Sequence, residues 1–413
     1  MPHIYDIPLE IIEEILLCLH HRLQDVASFA QSARSFRALI YEPADDHLWR
    51  ELYLLQPFDH PSTCVSYLGI PRSPKLKFDW RSELQALVHA QTVLTHPDHY
   101  TWLQRRSVVD TLLQFICNIP AHASPSGEPV SRNLKWAADH LSSGAFFDAK
   151  PPGAATPSDL HTLARLHTLH GTTPLDAAKR SHSRAAVYNM RYYGWNNDFG
   201  PFIPDSGGRV DWDQLQAMQH VVAARLEDLD EDIPYTDPQS CMRLPLTQSV
   251  IPEGMDLDTE PDWAGVAGSW ECGFCFCDHR ELLAFNNFGV DETGAPKPEF
   301  FDDPEFSEVY RSLEIKFAYK SSEHDPEHPT RPKINFVGEM MGHSTMFGWV
   351  KMTPDDQVRW HFVAGQAGNA IWSCEGVQVG GVRSPFGVIG AWTTVFHHIQ
   401  DPVGPLWLHK LQD

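Results

Sequence analysis

Ile7-Pro8-Leu9-Glu10-Ile11-Ile12-Glu13-Glu14-Ile15-Leu16-Leu17-Cys18-Leu19 carries the densest apolar pattern in this 413-residue chain. Pro8 fits a first helical turn, where a missing N–H costs nothing and φ is already set. Glu10, Glu13 and Glu14 follow in the early turns, where carboxylates meet the positive end of the helix dipole. Ile12, Ile15, Leu16 and Leu19 fall at i, i+3, i+4 and i+7, one face of a helix, and Leu9 and Ile11 widen it. His20, His21 and Arg22 place donors and positive charge at its C-terminal end.

Asp25 is a good N-cap for a second helix carrying Val26, Phe29, Ala30 and Ala33. A third is expected from about Ser35 to Tyr41, and Leu48-Trp49 with Leu52-Tyr53 close the unit. Three such short helices bury little core alone. So much apolar surface on so few residues predicts packing on two sides, against the rest of the chain and against a partner.

Residues 4 to 53, with Pro-x-Glu, then Asp25-Val26, then Leu48-Trp49-Arg50, resemble an F-box. This is the module that attaches substrate receptors to cullin-based ubiquitin ligases. Where many members have Val-Cys before a basic-aromatic pair, this chain has Ser32-Ala33 before Arg34-Ser35-Phe36. The resemblance implies binding to a Skp-type adaptor, and through it a cullin. It carries adaptor contact, as a group, onto Pro8, Leu9, Ile11, Ile12, Ile15, Leu16 and Trp49. Some of these must form the internal core instead, and the sequence does not sort them. No catalytic role is implied, and neither a cofactor nor a metal is expected.

Composition narrows the remaining classes. An apolar fraction of 42% and 13 Trp indicate a folded protein, while 32 Pro predict many loops. The formal net charge of −22 and the lack of a dense Lys/Arg run disfavour nucleic-acid binding. No apolar run reaches the length of a membrane span. Charges at Asp6, Glu10, Glu13 and Glu14 interrupt any signal-like apolar region. The expectation is a cytoplasmic or nuclear protein whose eight cysteines are mostly free thiols.

The expected organisation is α+β and multidomain: residues 1–55 the F-box, 56–260 a helical middle region, 261–413 an antiparallel β-barrel or sandwich. In the middle region, helices are expected at about 78–95, 101–117, 158–169 and 173–191. Leu103, Val108, Leu112 and Phe115 are read as facing inward. Loose loops are expected near 119–131 and 150–157. Residues 192–202 form an aromatic, turn-rich corner. Asp211 with Gln214 predicts a capping box before a helix with Trp212, Leu215, Met218, Val222 and Leu226 on one face. The acidic run 227–232 reads as a solvated helix end.

From about Pro261 the period changes to two. Strands are expected at Gly268–Cys277, Glu281–Phe285, around Ile315–Tyr319, Ile334–Phe336, Met346–Met352, Val358–Phe362, Ala370–Val379, Val388–Phe396 and Leu406–His409. Gly380-Gly381 and Gly387 to Gly390 suit sharp bends. The run 376–393 and the corner 196–202 resemble the corresponding parts of fungal F-box proteins, some of which end in a calycin-like barrel. That resemblance implies a protein substrate recognised by the C-terminal domain. The alternative is a small ligand enclosed by a β-barrel, with the F-box-like segment coupling its binding to degradation or vestigial. Glu339, Trp360, Arg383 and Trp392 are candidate wall or rim residues. Arg383, on a Gly-rich loop, is the polar residue to probe first.

Other chemistry reads weakly. Cys272, Cys275, Cys277 and His279 offer zinc-like donors, but on a strand Cys272 faces away from the other three. His20-His21, His167 with His170, and His397-His398 lack a nearby carboxylate pattern and read as core or solvated histidines. Neither a phosphate-binding Gly loop nor a nucleophile elbow is present.

Overall fold

The computed structural model describes residues 7–42, 45–73, 75, 77–123, 131–150, 153–229, 242–291, 295–340, 344–366 and 369–411. The expected loops near 119–131 and 150–157, and the acidic run 227–232, lie partly outside them.

Four helices open the chain: α1 (Leu9–Leu17), α2 (Leu23–Ser32), α3 (Arg34–Tyr41) and α4 (His47–Leu54). Helix α2 starts two residues before the expected Asp25 cap, with Arg22 preceding it and no side-chain cap. Ile12, Leu16, Val26, Ala30, Phe36, Ile40, Leu48, Trp49 and Leu52 form a shared core. The Trp49 indole N–H donates to Ile40 O at 2.7 Å, locking α4 to α3. Gln56 Nε2 donates to His20 O at 2.9 Å, tying the end of α4 to the end of α1. Tyr53 meets Phe58, Phe78 and Trp80 at 5.3–5.4 Å between ring centroids, so this module continues into the helices that follow.

Those helices are α5 (Trp80–Thr95), α6 (Trp102–Ile116), α7 (Arg132–Leu141), the single turn α8 (Ala145–Asp148), α9 (Pro157–His170), α10 (Arg180–Val187) and α11 (Trp212–Leu229). Asp79 caps α5 by accepting from Ser82 N–H. Thr101 and Gln104 make a reciprocal capping box on α6. On α6, Val108, Leu112 and Phe115 are buried, but Leu103 is 79% exposed. It lies about 140° around the helix from Val108, off the buried stripe, which Arg105 occupies in the same turn. The helix expected over 173–191 is broken: a 3₁₀ turn, Asp176–Lys179, precedes α10, and a second follows it. Asp211 caps α11, accepting from Gln214 N–H at 3.2 Å. The Gln214 amide turns away to Ala186 O and Tyr193 Oη, so the return half of that box is not made. No helix among the described residues is long and apolar enough to cross a membrane.

The C-terminal part is a closed antiparallel barrel of eight strands: β3 (Gly268–Cys277), β4 (Glu308–Glu323), β5 (Lys333–Met340), β6 (Ser344–Met352), β7 (Val358–Gln366), β8 (Asn369–Gln378), β9 (Val388–Thr394) and β10 (Gly404–Lys410). Two short strands, β1 (Cys64–Val65) and β2 (Ile119–Pro120), pair separately among the helices. Each barrel strand pairs with the next in sequence, and β10 closes on β3 through Leu406↔Phe274 to Lys410↔Trp270. Closure leaves no free sheet edge.

The expected strand at Glu281–Phe285 is instead part of a helix, α12 (His279–Phe288), inserted between β3 and β4. Asp278 caps it by accepting from Arg280 N–H at 2.8 Å. Leu282, Phe285 and Asn286 are buried at i, i+3 and i+4, the spacing of a helix face.

Alternation sorts the barrel. Trp270, Phe317, Phe336, Trp360, Phe362, Cys374 and Leu406 fill the inside. Val377, Ile389, Ala391 and Trp407 point outward into the helical core. There α11 covers β9, β10, β3 and β4 with its buried Trp212, Leu215, Met218, Val222 and Leu226. Gly380, at φ 92°, turns the chain after β8; a Cβ there would lie 2.6 Å from Thr247 Cα.

Candidate functional site

Three features offer an unfilled surface. The first is on α1. Ile12 and Leu16 point into the core, while Leu9, Ile11 and Ile15 are 58%, 50% and 52% exposed. Pro8, Ile11 and Ile15, at i, i+3 and i+7, form one ridge, with Leu9 beside Ile11 and the exposed Glu10 and Glu14 flanking it. The seven N-terminal residues singled out from the sequence thus divide. Ile12, Leu16 and Trp49 are internal, and Pro8, Leu9, Ile11 and Ile15 face solvent.

The second is the barrel interior, whose two ends differ. At the end where β8 leads into β9, the buried Trp263 closes the barrel, its indole N–H donating to Pro332 O at 2.8 Å. Arg383 lies at this end in a left-handed conformation, φ 61°. Its guanidinium donates to Asp262 O at 2.8 Å and packs on Gly265, so it staples the plug. Trp360 is fully buried in the middle, 5.1 Å from Trp270 and 5.7 Å from Phe336 between ring centroids. Its indole nitrogen has no partner among the described residues. Beyond Phe362 the other end opens into a cavity of about 330 Å³. Phe274, Phe276, Met340, Met346, Trp372 and Trp392 line its walls, with Cys272 and Cys374 among them. The Trp392 N–H is already committed to Cys275 O at 3.0 Å. Burial pushes the Cys272 thiol up to about 12 and the Cys374 thiol well above its ordinary value. The cavity therefore presents almost no hydrogen-bonding capacity and fits an uncharged apolar group. Glu339 stands outside the barrel, exposed and opposite Lys316 in the register. Of the four candidate barrel residues, the structure brings Trp392 alone to the cavity lining.

Cys272 shares its face with Phe274 and Phe276, whereas Cys275 lies in the helical core outside. His279 begins α12 and contacts Gln400 O at 2.8 Å. The four donors thus do not converge, and the cysteines behave as buried apolar side chains.

The third feature is a cleft of about 520 Å³ where the corner after α10 meets the loop joining β9 to β10. Trp195, Phe199, His397 and Ile399 line it, and Trp195 is 77% exposed. Phe199 stacks on His397 at 3.8 Å. Three non-glycine residues here have left-handed backbone: Asp198 (φ 53°), Phe199 (φ 59°) and His397 (φ 52°). Each such residue costs on the order of 1–3 kcal/mol, and such costs gather at functional surfaces. The buried Asn197 holds the corner, accepting from Gly194 N–H at 2.9 Å and donating to Tyr192 O at 2.7 Å. Arg359 anchors it to the barrel, with Nη1 donating to Asp198 Oδ2 at 2.8 Å and Nε to Glu375 Oε2 at 2.9 Å.

No family model, curated protein or solved structure matches this chain.

One constellation lay beyond sequence reasoning. His167 and His170, at the end of α9, meet Asp176 from the following 3₁₀ turn and His220 from α11. All four are buried. His167 and Asp176 are nine residues apart and His220 is a further 44 away, so no local spacing marked them.

Proposed function

We propose that this protein is the substrate-recognition subunit of an SCF-type ubiquitin ligase and performs no chemistry itself. The first four helices form an F-box that binds a Skp-type adaptor and through it a cullin. The barrel and its flanking corner carry a protein substrate. The observation supporting this reading is the solvent-facing ridge of Leu9, Ile11 and Ile15 on a helix whose opposite face is packed. Burying the exposed half of each of these side chains against a partner contributes roughly 1 kcal/mol. The cleft with exposed Trp195 and Ile399 supports a substrate surface, since aromatic anchors on a rigid frame dominate protein interfaces. The mechanism is proximity: a rigid receptor holds a substrate lysine near a charged conjugating enzyme.

The test is affinity purification of wild type beside Leu9→Ala/Ile11→Ala/Ile15→Ala. Adaptor and cullin are expected to vanish from the variant, while partners of the barrel side remain. Their retention at wild-type levels rejects the reading.

A second reading is favoured by the apolar cavity: the barrel holds a small uncharged ligand whose binding is coupled to degradation through the F-box. Trp372 and Trp392 stand at its wall. An apolar fluorescent probe is expected to bind there with quenching of tryptophan emission, and Ala364→Leu, which intrudes on the cavity, to abolish both. Probe binding unchanged by Ala364→Leu sinks this version.

A further inference from the structure

The buried histidines of the helical region are arranged unlike an ordinary core cluster. Asp176 Oδ2 accepts from Thr173 N–H at 2.7 Å, Thr173 Oγ1 at 2.9 Å and His167 Nε2 at 2.9 Å. Its other oxygen accepts from Lys179 Nζ at 3.2 Å, and Lys179 is itself paired with Asp148. His220 Nε2 points at the same Oδ2 from 3.8 Å, too far for a hydrogen bond, and has no other partner among the described residues. His170 lines a neighbouring cavity with Asp176 and His220, both of its ring nitrogens buried and without a partner among the described residues.

A buried polar atom without a partner is costly and calls for a physical cause. Ser183 Oγ lies 3.3 Å from His220 Nδ1 and is suited to accept its proton. That leaves a bare lone pair on Nε2 directed at a carboxylate, an arrangement that a cation between them would turn from repulsive to attractive. His167 is held in the opposite tautomer, with Gln216 Nε2 donating to its Nδ1 and its own Nε2–H donating to Asp176. Both imidazoles nevertheless turn Nε2 inward and have an outer polar partner at Nδ1, and such outer partners orient metal-ligating histidines. The three donor atoms lie within 4.8 Å of one another. Thr173 orients the carboxylate, and the cavity of about 340 Å³ gives access and room for an exchangeable fourth ligand.

We propose that His167 Nε2, Asp176 Oδ2 and His220 Nε2 bind one divalent transition-metal ion of the zinc type. Two neutral imidazoles and one carboxylate are a borderline-soft set that suits zinc or cobalt and disfavours magnesium or calcium. Coordination at His167 Nε2 shifts that ring's proton to Nδ1. The Gln216 amide then turns its carbonyl oxygen inward to accept a hydrogen bond from that N–H. Zinc's charge adds to that of Lys179, which stays on the opposite carboxylate oxygen. The ion would join α9, the Asp176 turn and α11, and so brace the helical frame that covers the barrel.

The test uses the full chain purified without a histidine tag, stripped with a chelator and titrated with Co²⁺ and then Zn²⁺. A surface group, His161 with Asp211 and Asp213, is the internal control. The expected result is a tightest equivalent that gives the visible spectrum of a low-coordinate nitrogen–oxygen site and raises the thermal midpoint by several degrees. His220→Gln should abolish it, with a loss beyond the roughly 10- to 100-fold that outer-shell changes give. His161→Gln should leave it intact. Because His220 Nε2 has no partner to lose, His220→Gln is expected to fold, which circular dichroism checks. Absence of a tight equivalent in wild type, or its survival in folded His220→Gln, overturns the proposal.

Discussion

Helix α1 and strand β9 divide their apolar residues in opposite ways. On β9 both faces are covered: Val388 faces the barrel interior, and Ile389 and Ala391 pack under the helices. On α1 one side is covered by Ile12 and Leu16, and Leu9, Ile11 and Ile15 remain in water. A surface helix normally carries one apolar stripe, turned to the core, whereas α1 carries a second beside its glutamates. The barrel strand receives both of its layers from its own chain, and the helix receives one. We propose that the layer that would cover this side of α1 comes from another molecule.

The largest effect that tests this contrast is expected inside the barrel. Trp360→Ala should cost roughly 3–5 kcal/mol in denaturant unfolding, because no side chain near that depth can collapse into the void. Ile389→Ala and Leu16→Ala, one from each covered face, should each cost roughly 2–5 kcal/mol. A cost for Leu16→Ala below about 1 kcal/mol would mean that α1 is not packed as described.

The next effect is pH dependence in chelator-treated protein. His170 and His220 are held down to about 3, by burial first and then by the neighbouring His167. In the unfolded chain they return to about 6.5. Between these values the unfolded state binds more protons, so stability should fall as pH falls through that window. Asp176 adds to the loss at the acid end. Burial opposes its ionisation, but His167, His220 and the Thr173 N–H more than offset this and hold its carboxyl well below the ordinary range. His170→Gln should remove up to about 1.4 kcal/mol per pH unit from the slope of stability against pH. An unchanged slope would show that His170 is solvated.

What the sequence disclosed follows from how local each signal is. Alternation at Ile315–Tyr319, Ile334–Phe336 and Val358–Phe362 located β4, β5 and β7, and short strand-like runs with turns between them located the other five barrel strands. The short run Leu282-Leu283-Ala284-Phe285 was likewise read as strand. The Asp278 cap was the signal that favoured a helix. Leu103 was misplaced because a helix face is not set by one apolar residue in a first turn. At α1 the pattern identified an amphipathic helix, but sorting its core from its open side required α4 packed against it. Arg383 read as a recognition residue because Gly-rich loops often are; its bond to Asp262 O makes it part of the plug. The histidine cluster depends on three elements meeting in space, which no spacing encodes.

The smallest expected effect sets up the sharpest test. Ile15→Ala, at a solvent-facing position, should change stability by no more than about 0.5 kcal/mol. The combined Leu9→Ala/Ile11→Ala/Ile15→Ala chain should therefore stay folded while losing its proposed partner surface. The most direct measurement is the amount of Skp-type adaptor and cullin that co-purifies with this triple variant relative to wild type, at matched thermal midpoints. The account predicts loss of both with the fold intact. Wild-type amounts of adaptor and cullin on the triple variant would contradict it.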